Sequence, residues 1–129
     1  MAGPPLNFYG SDTYHMSSII GTYEYVLHSG DTSFLATNWA KLALAVNWIA
    51  GKIDSTGLLD CTGTNDWGRY TQGGHNTEAN ALMYGSLIKS AIMANWSGDS
   101  DNSATWSAQA AALKSAINTA ALNWDPTVG

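Results

Sequence analysis

Charge is scarce in this sequence: 12% of its 129 residues are Asp, Glu, Lys or Arg, about half the usual ~25%. Five Lys and Arg face ten Asp and Glu, for a net charge of −5. Affinity for nucleic acid comes mainly from basic side chains displacing counterions from phosphates. Five scattered basic residues cannot build that stripe, so no nucleic-acid partner is expected, and an anionic membrane surface is disfavoured on the same grounds. The single cysteine, Cys61, excludes an intrachain disulfide framework and a cysteine-built metal site. No run approaches the ~18 apolar residues of a membrane span; the most apolar segment, Leu42 to Ala50, is already broken by Asn47. The start, Met1-Ala-Gly-Pro-Pro, lacks the basic and apolar regions of an export signal. His15, His28 and His75 show no His-x-x-x-His spacing, no Gly-x-Ser-x-Gly elbow occurs, and no Lys follows Gly73-Gly74 as a phosphate loop requires. No metal and no cofactor are therefore expected.

What is present is apolar and aromatic. Hydrophobic residues make up 45% of the chain, with six Trp and six Tyr, which excludes disorder and points to one domain around a single core. Side chains with large faces and polar tips suit a polar, uncharged ligand. Gly10-Ser11-Asp12 supplies a helix start, and Met16, Ile19, Ile20, Tyr23, Val26 and Leu27 recur at helical spacing, predicting a helix over 13–28. Ser29-Gly30-Asp31 ends it and caps a second helix over 32–50. A third is predicted over 77–95 behind Asn76 or Thr77, and a fourth carries Trp106, Ala110, Leu113, Ile117 and Ala121 to about residue 122. The fold class is all-α: two hairpins, about 13–50 and 77–122, in a single domain covering 1–129. Trp39, Trp48, Trp96 and Trp106 sit at helical spacing and read as packing residues.

The connection over 51–76 loses the helical period and, after Gly51, is punctuated by five more glycines among Thr, Asp and Asn. Irregular connections beyond ~12–15 residues tend to be functional, so this segment is the first place to seek a site. Short turns make neighbouring helices antiparallel, which gathers the N-terminal segment, the long loop and the starts of the first and third helices at one end. Tyr14, His15, Asp66, Trp67, Arg69, Tyr70, His75, Asn76 and Glu78 meet there as candidate ligand-binding residues. Carboxylates, amides and aromatic faces around one cleft match the needs of a sugar, whose C–H face stacks and whose hydroxyls pair with polar groups. Asp66-Trp67-Gly68-Arg69 admits two readings: a sugar-binding wall, or an Asx turn with Arg69 paired to Asp66 and Trp67 plugging the loop. Glu78 stands in the first turn of the third helix, where the dipole favours a carboxylate. One sequon, Asn95-Trp96-Ser97, would accept a glycan in a secretory setting.

Four separated segments carry a family resemblance: Gly3-Pro-Pro-Leu-Asn-Phe-Tyr-Gly-Ser-Asp-Thr-Tyr-His, Tyr25-Val-Leu-His-Ser-Gly-Asp-Thr-Ser-Phe-Leu, Asn65-Asp-Trp-Gly-Arg and Gly74-His-Asn-Thr-Glu-Ala-Asn-Ala-Leu-Met-Tyr. Together they resemble the six-hairpin glycosidases, in particular fungal proteins of the α-L-rhamnosidase type, from about residue 3 to 129. The resemblance implies part of an (α/α)6 toroid, a glycoside as partner, and secretion. It implies that Asp66 holds sugar hydroxyls, that Trp67 offers an apolar face, and that Tyr14 and His15 belong to an aromatic stretch beside the same cavity.

It also implies that the family's general acid lies upstream of the Gly-Pro-Pro stretch and its general base in a later hairpin, so neither is expected among these residues. The family's hydrolysis needs two carboxylates about 5–5.5 Å apart for retention or ~6.5–9.5 Å for inversion. Here Asp66 and Glu78 are the only weak catalytic candidates beyond Asp60 paired with Asp66. The reading is a carbohydrate-active, glycoside hydrolase-like segment; the alternatives are a non-catalytic carbohydrate-binding module and a structural module. Two hairpins from a six-hairpin ring would leave apolar flanks, so association into a dimer or a closed trimer is a further expectation.

Overall fold

The computed structural model describes residues 10–66, 69 and 72–119. Four helices follow in order: α1 (Asp12–Ser29), α2 (Thr32–Ala50), α3 (Thr77–Trp96) and α4 (Ser100–Ile117). Among the described residues the only β-type pairing is three isolated antiparallel bridges, so the all-α class holds. None of these helices is long and apolar enough to cross a membrane.

Each helix begins on a side chain that accepts from the first turn. Ser11 takes the N–H of Tyr14, Asp31 that of Phe34, Asn76 that of Ala79 and Asp99 that of Asn102, satisfying donors that a helix leaves unpaired. Gly30, at φ 69°, closes α1 by donating its N–H to the Val26 carbonyl, a left-handed cap that suits glycine. The first three helices start and stop within a residue or so of expectation. Helix α4 does not: it ends at Ile117, where the Asn118 N–H turns back to the Lys114 carbonyl, short of the expected reach to 122.

Two short turns set the helices antiparallel in sequence; α3 packs against both α4 and α1, and α2 lies along α1 and α3. Lys89 of α3 reaches Glu24 of α1, and Tyr23 stacks on Trp96 with ring centroids 5.4 Å apart. Indole side chains bridge α2 and the α4 segment: the Trp39 indole donates to Asp99 at 3.0 Å and the Trp106 indole donates to Asn47 at 2.9 Å. Trp106 is fully buried in a core with Met16, Ile19, Val46, Ile49, Met83 and Leu87. Each such large apolar side chain stabilises the fold by about 1.5–3 kcal/mol. Trp39 and Trp106 pack as expected, whereas Trp48 and Trp96 stay about half exposed.

The long connection is ordered where it is described. Leu58 and Leu59 are fully buried against the helices. Asn80 of α3, itself buried, accepts the Leu59 N–H at 2.8 Å and donates to the Leu59 carbonyl at 3.2 Å. One side-chain amide thus stands in for a missing strand partner. The bridges Ser11 to Thr64 and Cys61 to Gly74 tie the same loop to the approach of α1 and to the approach of α3. Both helix starts therefore meet at the loop end, as the topology requires.

Candidate functional site

Three predicted residues come together through a chain of charge. Arg69 pairs with Asp66 at 3.2 Å through one guanidinium nitrogen and with Glu78 through the other. The Glu78 contact raises the Arg69 pKa above its ordinary value. Glu78 stands in the first turn of α3, so its carboxylate faces both the helix dipole and a cation.

The two carboxylates differ in kind. Asp66 has a side chain only 1% exposed, while that of Glu78 is 47% exposed. Asp66 takes both hydroxyls that flank the start of α1: Ser11 Oγ donates to it, and Thr13 Oγ1 lies 2.7 Å from both of its oxygens. With Arg69 added, its acceptor sites are largely committed. Asp66 ties the loop to α1 and to Arg69, and the open polar edge belongs to Arg69 and Glu78.

A second buried carboxylate works beside it. Asp12 accepts the backbone N–H groups of Thr62 and Gly63, each at 2.9 Å, and pairs with Lys52 at 2.7 Å. Lys52 also donates to Thr62 Oγ1 at 2.7 Å and lies 4.4 Å over the Trp48 ring. Residues 62–66 are thus laced along residues 10–13 by carboxylates from both strands of the contact. The thiol of Cys61 beside them is pushed up to about 11, chiefly by burial and then by the charge of Asp12.

Other predicted residues stand apart from this cluster. His15 turns toward α2: its Nε2 lies 2.8 Å from the Ala45 carbonyl and its ring 4.9 Å from Trp48. It lines a cavity of about 340 Å3 with Lys41, Leu44, Ala45 and Trp48. His75 pairs with Asp54 at 2.8 Å on the turn after α2. Asp54 is held at about 2 by the Thr56 hydroxyl first and by His75 next. Asn76 is occupied as the cap of α3 and donates to Gln72 at 3.3 Å. Tyr14 gives its backbone N–H to Ser11. Asp60 gives its N–H to the Lys52 carbonyl at 3.0 Å. Trp67 and Tyr70 lie outside the described residues.

Ser11, Thr13 and Lys52 were not read from the sequence as site residues. The Ser-Asp-Thr run signals a helix start, which explains Ser11, but nothing local announces that Thr13 and Lys52 reach a loop about 50 residues away in the chain for Thr13 and ten for Lys52. Among the described residues, no group of three or more His, Cys, Asp or Glu is gathered as a metal ion would need.

A family model described as the bacterial alpha-L-rhamnosidase 6 hairpin glycosidase domain matches residues 7–128. No curated protein matches the chain.

Proposed function

Since the chain belongs to the bacterial α-L-rhamnosidase six-hairpin glycosidase domain family, we propose that it binds a glycoside of the α-L-rhamnoside class at the end where α1 and α3 begin. The observation that carries this reading is the Arg69–Glu78 pair at the start of α3, partly open to solvent and anchored from behind by buried Asp66. A guanidinium and a carboxylate side by side offer a donor and an acceptor to adjacent hydroxyls. Trp67, two residues before Arg69 in the chain, supplies the apolar face in this reading. Asp66 is then a positioning residue.

Chemistry is a separate matter from binding. A general acid or base must have a site for the transferred proton, and Asp66 is committed to Ser11, Thr13 and Arg69. Hydrolysis in this account depends on the acid and base segments that the family resemblance assigns elsewhere. The four sequence segments support the fungal side of the family and, with it, a secreted protein. A panel of aryl glycosides including the α-L-rhamnoside, incubated with the protein and with an Asp66→Asn control, tests this division. Binding without turnover supports it; turnover that the control loses would return Asp66 to a catalytic role.

A second reading, association through the hairpin flanks, rests on α2. Leu44 is 72% and Trp48 54% exposed on neighbouring turns, an apolar surface of the kind that association hides. A dimer or closed trimer of this chain would cover it. Light scattering tests this directly, and a monodisperse monomer would remove it.

A further inference from the structure

At the end opposite the loop lies a motif that the proposed site does not use. Asn95-Trp96-Ser97 has the Asn-x-Ser pattern of an N-glycan acceptor, with no Pro at its centre. The fold puts this triplet at a helix end: α3 stops at Trp96 and Ser97 caps it. A short turn follows, in which Gly98 stands at φ 76°. Asn95 itself is exposed.

The fold makes no use of the Asn95 amide. The side chains of Asn38, Asn47, Asn76, Asn80, Asn102 and Asn118 each hold a hydrogen bond within the chain, whereas that of Asn95 has none among the described residues. Its backbone carbonyl accepts the Gly98 N–H at 3.1 Å, so the turn closes without the side chain. Helix propensity does not call for it either, since Asn is a poorer helix former than the Ala before it. An exposed amide outside every contact leaves room for a bulky, solvated substituent. Ser97 Oγ is buried in the folded chain, but the transferase reads that hydroxyl on the emerging, extended chain, before α3 and α4 close the turn.

We propose that Asn95 is a modification site that carries an N-linked glycan. The proposal rests on the reading of the protein as secreted on the fungal side of the family. In the transfer step, Asn95 Nδ2 forms a bond to C1 of the N-acetylglucosamine of a lipid-diphosphate-linked oligosaccharide. The bond from C1 to the diphosphate oxygen breaks, the lipid diphosphate leaves with that electron pair, and the amide gives up one proton. The 20-residue α3 rises ~1.5 Å per residue, so the glycan stands about 30 Å from the loop end. It leaves the proposed sugar site clear, and its absence would leave the loop-end reading intact.

The test is secretion of the full chain from yeast behind a supplied export signal, with a second Asn-x-Thr acceptor on an added C-terminal tag as an internal control. Intact mass is expected to show two glycans on most chains. Asn95→Gln and Ser97→Ala should each lose one of them, while Ser97→Thr, which keeps the hydroxyl, retains both. After enzymatic removal of the glycans, position 95 is expected to read as Asp in the peptide mass spectrum. Asn95→Gln touches no contact of the fold, so its helical circular dichroism should match that of the unsubstituted protein. A secreted chain of native helicity whose tag carries a glycan while Asn95 is unmodified would overturn the proposal. Because the export signal is supplied, that result would count against Asn95 and leave the secreted reading standing.

Discussion

Asp12 and Gly63 exchange two hydrogen bonds: the Asp12 N–H donates to the Gly63 carbonyl and the Gly63 N–H donates to the Asp12 carboxylate, both at 2.9 Å. The approach leaves no room for a side chain, since a Cβ on Gly63 would sit 2.8 Å from Asp12 Oδ1. Gly63→Ala is therefore expected to cost about 1–3 kcal/mol, the range for overpacking a closed site. Asp12→Ala leaves Lys52 without its carboxylate and two backbone donors unpaired, and is expected to cost about 3–5 kcal/mol. Urea unfolding followed by circular dichroism measures both. The double variant should be less destabilised than the sum, because the two residues share one contact.

Acid should loosen the turn after α2 in a defined window. Asp54 is depressed from 3.8 to about 2 by Thr56 and His75. A carboxyl whose pKa is lower when folded contributes stability above its unfolded value and loses it as pH falls through the folded one. The stability difference between the unsubstituted protein and Asp54→Asn is expected to be full above pH 4 and to shrink toward zero near pH 2. Unfolding midpoints across that range check it, and a difference that grows on acidification would contradict the assignment.

Cys61 should be inert while the chain is folded. The thiol is buried and pushed up to about 11, so thiolate is about one part in a thousand at pH 8. Labelling with a chromogenic disulfide reagent is expected to be slow in buffer and fast in denaturant. Fast labelling of the native protein would mean that the loop beside Asp12 opens freely.

Trp106 joins α4 to α2 by both packing and a hydrogen bond to Asn47. Trp106→Ala is expected to cost about 3–5 kcal/mol, whereas Asn47→Ala, which spares the packing, should cost about 1–2 kcal/mol. Thermal unfolding of the two variants distinguishes them.

Helix starts were legible because their determinants are local. Ser11, Asp31 and Asn76 each cap within three residues of themselves, and a capping side chain next to an apolar period is visible in the sequence. The end of α4 was not legible, because the apolar period runs on to Ala121 while the backbone turns at Asn118. The candidate site was legible in part. Asp66, Arg69 and Glu78 were named together and do meet, but the burial of Asp66 by Ser11 and Thr13 depends on how the loop lies across α1. His15 shows the same limit: its place in α1 was clear, yet which neighbour it faces is decided by α2 packing through Ala45 and Trp48.

In the proposed function, Trp67 and Arg69 contact a sugar bound at the loop end. Calorimetric titration with an α-L-rhamnoside, run on the unsubstituted protein, Trp67→Ala and Arg69→Gln, decides between contact and no contact. Saturable binding that both variants weaken at least tenfold, with helicity unchanged, is expected. Absence of binding by the unsubstituted protein, or variants that both bind as tightly as the unsubstituted protein, would contradict it.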